Sequence, residues 1–168
     1  MRRRMRARLR ALRSARSRRS KKTDRSTATR ATVLAALAEA CAQATVGLEV
    51  CAKRSRNPAV VERATALAAD AHRLADAIAS ERDGARPRIR MGDRMRWEWL
   101  TSTGSFLDAA PERRTIAECL RVFESAIELA STFHGAVPFA SELVRLIRAI
   151  DSLHDALALT FEPALASR

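Results

Sequence analysis

Apolar side chains recur along this chain at alternating steps of three and four residues. The first run, Leu34, Leu37, Cys41, Ala44, Leu48 and Cys51, draws one stripe along a helix that continues to about Arg56. Asn57 followed by Pro58 marks the next start, because Asn can satisfy the orphan amides of a helix N-terminus and Pro at the first helical position forfeits no needed hydrogen bond. Val60, Ala64, Leu67, Ala71, Leu74 and Ile78 then repeat the spacing, until residues 81–88, ERDGARPR, break it with Gly84 and Pro87 as the main loop.

Beyond that loop, Asp93 predicts a short helix through Trp97, Trp99 and Leu100, and the run TSTGS interrupts it with side chains that compete for backbone hydrogen bonds. A third long helix starts at Asp108 to Pro111, carries the stripe Ile116, Leu120, Phe123, Ile127 and Ala130, and is expected to end at His134 and Gly135, with Gly135 in the left-handed terminal conformation. Pro138 opens the fourth, with Phe139, Leu143, Leu146, Ile150, Leu153 and Leu157 as its stripe, and Pro163 closes it. Four such helices, joined by two short turns and one longer connection, predict an all-α fold, an antiparallel four-helix bundle with a short extra helix between the second and third long ones. The expected division is a basic arm over 1–26, the bundle over 27–162 and a tail over 163–168.

Composition agrees with helices: Ala and Leu are abundant, Gly and Pro number five each, and there is no Tyr. Cys41, Cys51 and Cys119 are an odd set without CxxC spacing, and about 15 Å of helix separates the first two. They read as reduced core residues of a cytoplasmic protein rather than as a disulfide or metal set. No stretch is read as reaching the ~20 apolar residues of a membrane span, so no transmembrane segment is expected. The amino terminus has the positive part of a secretory signal without an apolar segment behind it.

The run VGLEVCAKRSRNPAVVERATALAADAHRLADAI, then Trp97 and Trp99, then AECLRVFESAIELA and SLHDAL, resembles an uncharacterised bacterial family of ferritin-like four-helix-bundle proteins, a domain of unknown function. The resemblance covers about Thr32 to Phe161 and rests on element order, Gly47, Asn57-Pro58, the Trp97 region, Glu118 and His154-Asp155. It implies the ferritin-like fold and a bacterial origin, and brings no activity. Val46 and Leu48 stand where that family is expected to have an acidic and an aromatic residue beside Gly47.

A ferritin-like bundle raises the carboxylate-bridged di-iron centre, which needs a Glu from each of two helices and a Glu-x-x-His pair from each of the others, all pointing inward. Glu39, Glu49, Glu62, Asp76, Glu118 and Glu128 all count away from the stripes, Asp70 and Glu142 flank them, and neither His72 nor His134 has a carboxylate three residues before it. The nearest match is Asp151-x-x-His154, which supplies one carboxylate and one imidazole, too few for two irons. Asp151 and His154 are therefore the candidate metal residues, for a mononuclear or shared site, set against the plainer reading that His154 packs at the core edge. His134, at a helix carboxyl end, is a candidate for a pH-dependent role or simply for a contact with terminal carbonyls. Trp97 and Trp99 offer a binding surface or, more plainly, a plug for the open end of the bundle. With no nucleophile elbow, Gly-rich phosphate loop or zinc pattern, no enzymatic activity and no cofactor is expected, iron being the one considered.

Charge changes the picture at one end only. The chain is formally +12, yet its first 22 residues hold 12 of its 31 basic side chains, and the remainder balances at 19 basic against 19 acidic. The candidates for nucleic-acid or anion binding are thus Arg2, Arg3, Arg4, Arg6, Arg8, Arg10, Arg13, Arg16, Arg18, Arg19, Lys21 and Lys22. Like charges are expected to keep this arm disordered in free solution. It could bind phosphate backbones through counterion release, rest on an anionic membrane through an induced helix bearing Met5, Leu9 and Leu12, or serve as a transit peptide. Arginine outnumbers lysine 28 to 3, a bias that also fits a functionless leader added by an over-extended start site in a GC-rich genome. The resulting expectation is a noncatalytic interaction or stress-related assembly protein, a possible homo-oligomer or protein partner, with a metal-binding bundle and an arm-mediated nucleic-acid binder as alternatives.

Overall fold

The computed structural model describes residues 29–81, Met95, Trp97 and 111–161. The described residues form four long helices and no strand: α1 (Arg30–Arg54), α2 (Pro58–Ser80), α3 (Pro111–Ala130) and α4 (Ala140–Phe161). The arm over 1–26, the loop over 82–88, Asp93, Trp99, Asp108 and the tail over 163–168 lie outside the described residues. Of the short helix expected around Trp97, Met95 and Trp97 are helical.

Caps set the first two boundaries. Thr29 accepts a 3.2 Å hydrogen bond from the Thr32 amide, and Asn57 Oδ1 accepts one of 3.0 Å from the Ala59 amide, with Pro58 behind it as the first helical residue. The third helix stops at Ala130, four residues before His134, because Ser131 and Thr132 capture its carbonyls. Their hydroxyls donate to Glu128 O at 2.7 Å and Leu129 O at 2.8 Å. Gly135 therefore is not the helix's left-handed terminal residue. That conformation is taken instead by Phe139, at φ 58°, whose carbonyl begins α4 by accepting from the Leu143 amide at 2.9 Å.

Every stripe position read from the sequence is buried except Phe139, which is half-buried outside its helix. Burying these apolar side chains is the main force holding the bundle, on the order of 2 kcal/mol for each large one. α1 packs against both α2 and α3, and α4 closes the square against α3 and α2. All four neighbouring pairs run antiparallel. Arg30 at the start of α1 pairs with Glu81 just past α2, the Cys119 thiol of α3 lies 3.9 Å from Ala44 O, Cys51 senses the charge of Glu112 at the start of α3, and Arg63 Nη2 donates to Ser152 Oγ of α4 at 2.9 Å. It follows that α2 ends at one end of the bundle and α3 begins at the other. The end of α2 and the start of α3 are therefore about 34 Å apart along the bundle, the length of α2.

Trp97, within that stretch, is 2% exposed and sits over Gly47 of α1, beside Cys119 of α3. It thus covers the flank of α1, about two turns from that helix's end, and is not a plug for the open end of the bundle. A Cβ at Gly47 would lie 2.7 Å from both the Trp97 ring and Cys119 Sγ, so the close approach requires glycine. α1 is buried well beyond its single stripe, at Val33, Ala38, Val46 and Val50 among others. Contrary to the reading of the sequence, α1 has the length and mean hydropathy, 1.5 over its most apolar window, of a membrane-crossing helix. In this fold 67% of that window is buried inside the bundle.

Candidate functional site

An inward-facing catalytic or metal site needs polar atoms in the interior, so the buried polar groups come first. Among the described residues only Thr45 and Thr115 are buried polar side chains, and each hydroxyl donates to a carbonyl one turn back in its own helix, Cys41 O and Pro111 O, at 2.9 Å. Neither can donate to a ligand without losing that bond. No described Asp, Glu, Lys or Arg is buried as a whole residue, although one carboxylate oxygen, Asp155 Oδ1 on α4, is out of solvent.

The carboxylates of the di-iron test differ in exposure. Glu39, Glu49, Glu62, Asp70 and Glu128 are exposed, and Asp76, Glu118 and Glu142 are half-buried. Glu118, its side chain 14% exposed, is paired with Arg121, whose Nε and Nη2 donate to its two oxygens at 2.7 and 2.6 Å. The guanidinium is stabilised in its charged form by those bonds, which push its pKa up. His72 is exposed on α2, with Nε2 3.7 Å from Asp76 Oδ2.

The candidate metal residues are placed on α4 as follows. The His154 side chain is 16% exposed, and its Nδ1 lies 3.8 Å from Asp155 Oδ1. Asp151, one turn earlier, is half-buried. No group of three or more His, Cys, Asp or Glu side chains among the described residues is arranged to hold a metal ion. His134 is exposed in the α3–α4 turn, outside any helix, which removes the reading that placed it in a helix's final turn. The twelve basic arm residues from Arg2 to Lys22 lie outside the described residues.

The cysteines carry the plainest electrostatic signature. Burial pushes the thiols of Cys41 and Cys51 up to about 12, with Glu112 adding to the effect at Cys51, and raises that of Cys119 further still. All three are free thiols. At neutral pH they are protonated and shielded, the opposite of what a nucleophilic or metal-binding thiolate requires.

Surface grooves among the described residues include two between neighbouring helices. One, about 520 Å³, runs between α1 and α2 past Thr45, Glu49, Lys53, Thr65 and His72. The other, about 490 Å³, separates α2 from α4. Its floor is Leu74, Leu146 and Phe139, and its walls carry Asp70 and Arg73 on α2 and Glu142 and Arg145 on α4. Asp70 is paired with Arg73. The Glu142 carboxyl is held below its ordinary range by a hydrogen bond with its own main-chain amide, then by the Ser141 hydroxyl at 3.0 Å. This second groove was missed in the sequence, although an acidic residue three positions before an arginine on both helices was its visible signal. Compared with known proteins, the chain matches no family model, and neither the curated proteins nor the solved structures contain a significant match.

Proposed function

We propose that the chain is a noncatalytic helical bundle of ferritin-like topology whose role is binding or stress-related assembly rather than turnover. The observation that carries this reading is the interior: its only wholly buried polar side chains among the described residues are two threonines satisfied by their own helices, and Asp155 Oδ1, beside His154 on α4, is a single buried carboxylate oxygen, not the converging set a di-iron centre needs. A ferritin-like di-iron centre places four or more carboxylates there. The ferritin-like part of the reading is supported by connectivity, since a single long crossover between two antiparallel helix pairs is the arrangement those folds use. Metal analysis of protein purified from iron-supplemented cells tests it. Substoichiometric iron is expected, and about two irons per chain would reject it.

Charge favours a second role, carried by the arm. Between residues 29–81 and 111–161 there are 11 basic and 13 acidic side chains, whereas the whole chain is +12. The net positive charge thus resides outside the described bundle. A segment with 12 basic residues in 22 gains affinity for phosphate backbones by releasing counterions, without sequence preference. Gel-shift titrations of the full chain and a chain lacking residues 1–26, at two salt concentrations, are expected to show binding only with the arm and a steep loss at the higher salt. Equal binding by both chains would overturn this second role.

A further inference from the structure

We propose that the groove between α2 and α4 is the face through which two copies of this chain pair. The inference rests on the assembly reading above and names its partner and its surface.

Register comes first. The Arg63–Ser152 hydrogen bond and the antiparallel run of the two helices set position 70 level with position 145, and 73 level with 142. Asp70 and Arg73 on one wall, with Arg145 and Glu142 on the other, therefore form a two-by-two chequerboard of charge around an apolar floor. Its net charge is zero, so it has no bias toward a cationic or an anionic ligand.

Such a pattern is complementary to itself. Two copies meeting face to face are related by a two-fold axis lying in the interface. If that axis runs along the helices, Asp70 meets the arginine at 145 of the other copy and Arg73 meets the glutamate at 142. If it runs across them, Asp70 meets the arginine at 73 and Glu142 the arginine at 145. Opposite signs face each other either way.

The side chains are presented for such contact. The Asp70 and Arg73 side chains are 52% and 74% exposed, while Leu74 and Leu146 lie at the floor between the two helices. Phe139, which lines the same floor, holds φ 58°, a backbone conformation that costs about 1–3 kcal/mol in a non-glycine residue and persists where surroundings demand it. Size also fits. Two helices side by side, about 34 Å long and about 20 Å across, present on the order of 700 Å², close to the roughly 800 Å² per partner of a standard interface.

The test uses the full chain, its mass followed by sedimentation and light scattering from micromolar concentration to the highest attainable. A dimer is expected. Asp70→Arg and Arg145→Glu should each weaken it by at least about tenfold, because the two-fold repeats every mismatch. Adding Arg145→Glu to Asp70→Arg should restore the dimer if the axis runs along the helices, and adding Arg73→Glu should restore it if the axis runs across. Unchanged circular-dichroism melts of these surface variants verify that folding is intact. A monomer at every concentration, including one carrying some other occupant in the groove, overturns the inference. So does a dimer indifferent to the single reversals, or one that neither second substitution restores. None of those outcomes touches the noncatalytic reading, which stands or falls on iron content.

Discussion

Gly47 shows how much one missing Cβ can decide. Glycine inside a helix costs about 1 kcal/mol relative to alanine, so its place in α1 needs a compensating contact. Trp97 and Cys119 supply it, packed where a Cβ would lie 2.7 Å from either. Gly47→Val is expected to lower the free energy of unfolding by about 2 kcal/mol or more through overpacking, measured by urea denaturation. Removing the ring with Trp97→Ala should shrink that penalty, whereas additive effects of the two substitutions would show that they do not share the contact. In the sequence Gly47 stood out only through the family resemblance. Its partner, brought from the connection between α2 and α3, was hidden because no local pattern encodes which tryptophan returns to which helix.

At the scale of the element, what could be read in advance was whatever is encoded locally. Asn57-Pro58 announces a helix start because the cap and the proline act within three residues, and the structure has both roles filled. Replacing Asn57 by Ala should cost about 1 kcal/mol of stability, while Asn57→Asp should keep most of it, as read from denaturation midpoints. Loss of stability equal in both variants would mean that the side-chain bond to the Ala59 amide is not what stabilises this end. The α3–α4 turn was misread for a related reason. Gly135 advertises a left-handed terminus, yet the hydroxyls of Ser131 and Thr132 end the helix sooner, and the left-handed residue is Phe139. Nothing in a phenylalanine's own preference signals that conformation.

For the whole molecule, alternating steps of three and four carried the architecture, since burial follows those stripes almost without exception. The direction of the long connection did not follow, because a stretch of that length can join helices at the same end or at opposite ends. Nor did the paired charges of the α2–α4 groove, which become neighbours only once two separate helices share a face. Among the described residues no carboxylates from neighbouring helices converge in the middle, and that observation carries the functional reading.

The central claim is that this interior is closed and uncharged, and alkaline stability tests it most directly. Cys41, Cys51 and Cys119 are buried as neutral thiols, the first two pushed up to about 12 and the third beyond, against roughly 8.5 in an unfolded chain. The folded state therefore keeps protons that the unfolded chain sheds, and this contribution, complete below about pH 8.5, is lost as pH rises toward 12. With no Tyr and only three Lys in the chain, little else titrates in that window. Unfolding free energy measured by urea from neutral pH to about pH 10.5 should fall by about 1.4 kcal/mol per thiol for each pH unit above the unfolded value. A stability that stays level across that range would mean that the thiols ionise as freely in the folded bundle as in the open chain, and would contradict the closed interior.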